Sequence, residues 1–165
     1  GQGQEPDVAM TRYRHPSGGF GIEYPQGWRV RAQSGGTTFY KDDPDEGTSF
    51  TVVAMQPAQG ELKARQILQA VTTAARKQYP DLRAKPGALR NLGSPGAVAE
   101  MLEADAWWTN VRGRKMQAAI LIIATTSPGA GFTSFTVLLG QAPVADFPAM
   151  RPIYQRMMQS MGPGT

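Results

Sequence analysis

The first half of the chain alternates apolar and polar positions over short stretches that turn residues separate. Trp28, Val30 and Ala32 fall on one side of such a stretch, and the intervening arginines fall on the other. Turns rich in Pro, Gly and Asp divide this region, so each stretch is too short for a regular helix. The pattern predicts a β-meander, with strands near residues 19–24, 28–33, 37–41 and 48–55.

The hydrophobic period changes from 2 to 3.6 in two segments, and each change predicts an amphipathic helix. The first segment spans residues 61–79, where Pro80 follows as a stop. The second spans residues 147–161 and contains Pro152, which lacks the N–H that a helix interior needs. We therefore expect the second helix to become regular only near Ala149.

The second half of the chain otherwise returns to strand patterns. Residues 97–108 and 132–139 alternate, and residues 115–126 are apolar enough to be buried on both faces. Residues 81–96 are rich in Pro and Gly, so we expect a loop there around one short strand. The order of strands, helix, strands and helix predicts an α+β domain, with helices packed against a mostly antiparallel sheet.

A chain of 165 residues is of the size of one domain. Residues 1–13 are polar and lack a period, so we assign them to a flexible N-terminal segment. Residues 14–162 are assigned to a single domain.

The predicted first hairpin carries a short motif: Phe20-x-Ile22-x-Tyr24-Pro25-x-Gly27-Trp28-x-Val30. This motif resembles the opening of PsbP-like domains, and the apolar last helix that ends in Ser160-Met161 is similar to theirs. The resemblance covers residues 14–162 and implies an α/β/α sandwich. The wider superfamily includes photosystem II subunits, a Ran-binding import factor, bacterial lipoproteins and secretion chaperones. It implies a binding or assembly role without a shared catalytic site.

The composition excludes several kinds of chemistry. The chain has no Cys and a single His, His15, which excludes disulfides, thiolate metal sites, cysteine nucleophiles and sites with several histidines of one chain. We expect His15 to be an uninvolved surface residue rather than a base for Ser17. We therefore predict no catalytic residue, no metal centre and no cofactor.

A pair of carboxylates raises the alternative that the protein is a hydrolase. Glu103 and Asp105 share a strand face about 7 Å apart, a spacing that suits glycoside hydrolysis. Trp107 next to them would stack on a sugar ring. We favour ion pairs of these carboxylates with Arg112 and Arg114 across the hairpin, so a hydrolase is the less favoured reading.

Four carboxylates lie together in the loop between the third and fourth strands of the predicted meander: Asp42, Asp43, Asp45 and Glu46. Weak binding of a divalent cation is one interpretation. Pro44, however, stands where an EF-hand loop would place a side-chain ligand. A solvated hairpin loop is therefore favoured.

The charge pattern favours a docking surface. Lys and Arg number 17 against 13 Asp and Glu, and the basic residues are scattered along the chain. Large side chains that we expect to be exposed, Trp107 and Met158, accompany arginine-rich strand faces, and Trp, Met and Arg are enriched at protein interfaces. The predicted partner-binding residues are Trp107, Arg112, Arg114, Arg29, Arg31 and Met158.

The partner class predicted from these residues is a protein in a cell-envelope or membrane-associated complex. An anionic lipid surface or nucleic acid is the alternative, and nucleic acid is disfavoured because no DNA- or RNA-binding motif accompanies the charge. The resemblance and the absence of Cys favour an exported protein, in the periplasm or at the outer surface and held by a lipid anchor. A cytoplasmic location, as in secretion chaperones, is the other reading.

Overall fold

The computed structural model describes residues 8–93, 96–127, 129 and 131–164. Two helices lie among nine strands in this part of the chain. In chain order the elements are β1 (Met10–Arg14), β2 (Gly21–Pro25), β3 (Arg29–Gln33), β4 (Gly36–Tyr40), β5 (Ser49–Gln59), α1 (Ala64–Ala75), β6 (Arg83–Asn91), β7 (Val98–Thr109), β8 (Lys115–Thr126), β9 (Phe132–Pro143) and α2 (Phe147–Ser160).

Seven of the strands form one sheet in the order β3-β4-β5-β9-β8-β7-β6, and β1 and β2 form a separate hairpin. Every neighbouring pair is antiparallel. The predicted α+β class, with a mostly antiparallel sheet and two flanking helices, is confirmed. The apolar strand β8 lies inside the sheet, between β7 and β9, and is buried along most of its length.

The sheet has a hydrophobic cluster on each face. On one face, called the α1 face, Ile67 and Leu68 of α1 pack on Leu102, Ile120 and the other inward residues of β7 and β8. On the opposite face, called the α2 face, side chains of α2 and of the β1–β2 hairpin pack on β4, β5, β8 and β9. Alternate residues of the central strands therefore enter different clusters, as the period of 2 requires.

Each helix covers only part of its face. α1 lies over β6, β7 and β8, and α2 lies over β8, β9 and the hairpin strand β2. Seven strands spaced about 4.8 Å apart span roughly 29 Å, whereas one helix is about 10 Å wide. Two regions therefore have neither a helix nor the hairpin over them: β3–β5 with the adjoining β9 on the α1 face, called here the open half of the α1 face, and β6–β7 on the α2 face, called the open half of the α2 face.

The helix boundaries differ from those predicted. α1 is shorter than residues 61–79, and its first N–H, that of Ala64, donates to a carboxylate oxygen of Glu100 at 2.9 Å. α2 begins at Phe147 with Pro152 inside it, so the predicted start near Ala149 is wrong. The buried side chains of α2 hold the helix against the sheet although Pro152 donates no backbone hydrogen bond.

Two strands appear where the sequence predicted irregular chain. Residues 10–13 belong to β1, paired with β2, so a flexible segment through residue 13 is wrong for these residues; residues 1–7 lie outside the described part. Residues 81–96, expected to be mostly loop, contain the nine-residue strand β6. β6 accommodates Pro86 because it is an edge strand with a shift of register after that residue.

In the described part of the chain, neither helix has the length and apolar character needed to cross a bilayer.

Candidate binding surfaces

The six predicted partner-binding residues do not form one surface. Trp107 lies on the open half of the α2 face, whereas Arg29 and Arg31 belong to the edge strand β3 and point to the α1 face. Arg112 and Arg114 lie in the turn between β7 and β8. Met158 is half-buried against the α2-face cluster, and Trp107 is half-buried too, so the expectation that both are exposed side chains is wrong.

The acidic loop, residues 42–47, is folded around Asp43. Its carboxylate accepts the backbone N–H groups of Asp45 and Glu46, at 2.9 and 3.1 Å, and the guanidinium of Arg112 at 2.7 Å. These backbone hydrogen bonds, followed by the charge of Arg112, lower the pKa of Asp43. The loop is thereby tied to the turn at the far end of β7.

The other carboxylates of the acidic loop bind different groups. Asp45 pairs with Arg31 at 2.9 Å, and Glu46 accepts the hydroxyl of Tyr79 at 2.7 Å. Burial, and then this hydrogen bond, raises the pKa of Tyr79. No three His, Asp or Glu residues of the described chain are grouped to hold a metal ion. The geometry therefore disfavours the weak divalent-cation site considered for Asp42, Asp43, Asp45 and Glu46.

A polar cavity of about 620 Å³ opens beside the acidic loop on the α1 face. Its lining includes Arg31, Thr51, Tyr79 and Arg112, so the fold brings two of the predicted arginines to one site. The Nε–H of Arg31 is buried and has no hydrogen-bond partner among the described residues. This cavity therefore combines paired charges with one buried donor that no group of the described chain satisfies.

An apolar groove continues from this cavity along α1. The α1 groove has a volume of about 270 Å³ and is lined by Thr51, Val53, Val71, Phe135, Val137 and Leu139. Thr51 also lines the polar cavity, so the two recesses adjoin. Along β9 the side chains on this face run from Phe135 to Gln141, a length of about 20 Å. The open half of the α1 face is thus apolar at one end and polar at the other.

A second recess surrounds Trp107 on the other side of the sheet. The Trp107 cleft, about 480 Å³, is lined by Asp81, Arg83, Trp107, Trp108, Thr109, Lys115, Met116 and Val144. The guanidinium carbon of Arg83 lies 5.5 Å from the centroid of the Trp107 ring, within the range of a cation–π contact. Hydrogen bonds from the hydroxyl and then the N–H of Thr109 lower the pKa of Asp81.

The two carboxylates of the hydrolase hypothesis, Glu103 and Asp105, have different surroundings. Asp105 accepts hydrogen bonds from Arg151 of α2 at 2.7 Å and from Gln117 at 3.4 Å, and Glu103 is exposed. The predicted pairing across the hairpin is wrong, because Arg112 lies in the turn and binds Asp43 instead. The oxygens of Asp105 are held toward α2, which disfavours a joint action with Glu103.

His15 is not the uninvolved residue that we expected. Its Nδ1 lies 2.7 Å from Oγ of Ser17 and accepts the Ser17 N–H at 3.1 Å, and its ring lies 5.2 Å from that of Phe20. Both contacts are local to the turn that joins β1 and β2. They fix that turn, because Nδ1 already accepts a backbone hydrogen bond.

No protein-family model matches the chain, and no curated protein matches it either. Solved structures do match. Cyanobacterial PsbP (CyanoP) from Synechocystis sp. PCC 6803 has a TM-score of 0.55 at 14% identity, over 99% of this chain and 96% of that protein. LpqN of Mycobacterium tuberculosis, which is involved in cell envelope biogenesis, has a TM-score of 0.54 at 15% identity, over 94% and 90%. The Ran-binding protein Mog1p of Saccharomyces cerevisiae gives 0.53 at 8% identity, over 96% and 97%.

The chain has a PsbP-like fold. The resemblance read from the opening motif is thereby confirmed at the level of the fold. In this PsbP-like fold the motif residues Phe20 and Ile22 are buried between the β1–β2 hairpin and the sheet. Trp28 is partly buried and packs against the same cluster. The motif therefore fixes the hairpin on the α2 face rather than forming a site.

Three residues of these surfaces were not singled out from the sequence. Glu100 lies an even number of residues from the inward-facing residues of β7, so its side chain points to the same face. A carboxylate buried at such a position needs a hydrogen-bond partner, here the Ala64 N–H. Tyr79 ends the predicted first helix at residues 61–79, and a half-buried tyrosine hydroxyl signals a hydrogen-bond partner, here Glu46. Gln141 donates to the backbone carbonyls of Asp45 and Gly47, a contact that no local pattern predicts.

Proposed function

We propose that this protein is a non-catalytic docking module whose α1 groove binds an amphipathic helix of a partner protein. The observation that carries the proposal is the open half of the α1 face, where apolar side chains of β5 and β9 remain accessible beside a helix. A sheet face of this kind is stabilised when another element covers it.

The dimensions of the groove favour a helix as the occupant. A helix packed alongside α1 at 8–10 Å, the usual interaxial distance, would lie over β5 and β9. Val71 and Gln78 line the two recesses, and Ala74, one turn from each, lies on the same side of α1 and is exposed. A small side chain at this rim permits close approach of a second helix.

The polar end of the groove favours a partner with a mixed surface. The apolar stripe of the helix would cover Val53, Val137 and Leu139. Its polar flank would reach the cavity that is lined by Arg31 and Arg112 and by the carboxylates that pair with them. The arginines of the cavity are paired with Asp45 and Asp43, so in this proposal the exposed Arg29 and Arg114 supply the positive charge outside it.

The similar structures support a binding role and an envelope location. One is a Ran-binding protein, and another is involved in cell envelope biogenesis. We extend this to a protein exported to the cell envelope that acts in an envelope or membrane-associated complex, with a cytoplasmic location as the alternative. A hydrolase is not favoured, since Asp105 is held by Arg151.

Photo-crosslinking tests the proposal. The photoreactive residue benzoylphenylalanine replaces Ala74 at the groove rim in one variant and the exposed Gln155 of α2 in a control variant. In an extract of the source organism we expect one protein adduct with the first variant and none with the second. Excess unlabelled wild-type chain should suppress the adduct, and excess Ala74→Glu chain, with unchanged circular dichroism, should not.

Equal adducts at both positions, or suppression by the Ala74→Glu chain, would contradict docking at the groove. The dependence of the adduct on salt concentration distinguishes docking at the apolar groove from binding to a charged surface. Apolar contacts should preserve most of the adduct at about 0.5 M salt, where exposed charges are strongly screened. Loss of the adduct at that salt concentration would favour an anionic lipid or nucleic acid.

A further inference from the structure

The open half of the α2 face carries an excess of uncompensated positive charge. The edge strand β6 places Arg83, Lys85 and Arg90 on this face, and all three are exposed. Within the described chain, neither these side chains nor Lys115 forms an ion pair with a carboxylate. Arg83 and Lys115 line the Trp107 cleft, Lys85 lies two residues along β6 from Arg83, and Arg90 lies farther along the same strand.

The carboxylates of this region do not balance these cations. Asp105 is paired with Arg151 at 2.7 Å, and Asp81, which lines the cleft and is held by Thr109, offsets only one of the two cations there. Glu103 is exposed on the same face, opposite the register shift of β6, and does not line the cleft. The field at the cleft is therefore positive, and it attracts an anionic group.

The cleft also offers an apolar contact. Trp107 is half-buried, its ring lies against the guanidinium of Arg83, and Val144 is 39% exposed at the opposite wall. A side chain that enters the cleft would contact the indole while its neighbours remain beside Arg83 and Lys115. Trp and Arg in one recess are the residue types that dominate binding energy at interfaces.

We propose that the Trp107 cleft binds an acidic segment of a partner protein, with an apolar side chain of that segment against the indole. The inference does not depend on the α1 groove, which lies on the other face of the sheet. A concave site favours a peptide over a membrane, because a planar surface cannot follow the walls of the cleft to reach the Trp107 ring.

Nuclear magnetic resonance tests the proposal on the whole chain. The three Trp residues give three indole N–H signals, and Trp107→Phe assigns the relevant one. The probe is a short peptide of glutamates with a central Leu-Phe pair, and the comparison probe replaces each Glu with Lys. We expect the glutamate peptide to shift the Trp107 signal and the lysine peptide to leave it unchanged.

Charge reversal localises the binding. Arg83→Glu with Lys115→Glu should weaken binding of the glutamate peptide by about tenfold or more. The matched control is Lys41→Glu with Arg65→Glu, which changes the net charge equally at exposed positions outside the cleft. It should retain binding within about twofold, because exposed charges beyond a Debye length are largely screened. An unchanged indole signal of Trp28, which packs in the α2-face cluster away from the cleft, together with unchanged circular dichroism, shows that each variant is folded.

Three outcomes would overturn the inference. One is an unshifted Trp107 signal with the glutamate peptide, and another is equal weakening by the control pair, which would reduce the effect to net charge. The third is that phosphatidylserine vesicles or an oligothymidylate shift Trp107 and the peptide does not, which would assign the cleft to another class of partner. Ala74→Glu should leave peptide binding unchanged, so a failure here and a failure of the α1 groove are distinguishable.

Discussion

Replacing Gly140 with Ala tests how α2 is seated on the sheet. Gly140 lies in β9 on the α2 face, under the ring of the fully buried Tyr154. A methyl group at this position would be 2.4 Å from Cγ of Tyr154 and 2.5 Å from Cδ2. Contacts this short do not occur, so either the ring or α2 must move away by about 1 Å to restore carbon–carbon contact at 3.5 Å.

The cost of this movement follows from what Tyr154 contacts. Its hydroxyl donates to the backbone carbonyl of Gln141, and its ring packs at 5.8 Å from that of Phe50. Overpacking together with loss of a buried hydrogen bond should lower the free energy of unfolding by about 2–5 kcal/mol. That is a large part of the 5–15 kcal/mol or so of a typical domain.

Urea unfolding followed by circular dichroism measures this change. The matched control is Gly35→Ala, because a methyl group there would have no neighbour within 4 Å, and we expect a change below about 0.5 kcal/mol. Tyr154→Leu removes the ring, so the Gly140→Ala substitution should cost at least about 1 kcal/mol less in that background. A Gly140→Ala variant as stable as the control, or equal costs in both backgrounds, would refute the reasoning.

Two further predictions concern carboxylates. Because the pKa of Asp43 is lowered in the folded state, its contribution to stability should be present above its unfolded pKa near 3.8 and be lost as the pH falls through the folded value. The difference in unfolding free energy between wild type and Asp43→Asn, measured against pH, should therefore shrink toward zero in acid. A difference that grows in acid would contradict this prediction. Glu100→Ala removes the acceptor of the Ala64 N–H at the start of α1 and should lower the free energy of unfolding in urea by about 1–3 kcal/mol. Glu100→Gln should lower it less, because the amide keeps an acceptor oxygen. Equal losses in the two variants would show that the charge of Glu100, rather than its hydrogen bond, matters.

The sequence by itself determined most of the elements, because their patterns are local. Alternation with a period of 2 fixes which side chains of a strand share a face, and the change to 3.6 marks α1 and α2. The apolar run of β8 indicated an inner strand, since only a strand covered on both faces is apolar throughout. The opening motif, which buries Phe20 and Ile22, indicated the PsbP-like fold.

Two strands, β1 and the edge strand β6, escaped the sequence analysis for a physical reason. β6 has a neighbour on one side only, so it tolerates Pro86 and a bulge that resemble a loop in sequence. β1 lies in a two-stranded hairpin and is largely exposed, which leaves its apolar alternation weak. Where one side of a strand is solvent, its sequence is less constrained.

The binding surfaces were decided by the tertiary structure alone. Arg31 and Arg112 are distant in sequence, and they meet at one cavity because the acidic loop pairs with both. Asp105 pairs with Arg151, 46 residues away, rather than with the nearer arginines that the hairpin suggested. The order of the strands and the width of the two helices, which cannot cover seven strands, decide which strands remain uncovered. No local sequence pattern predicts either property.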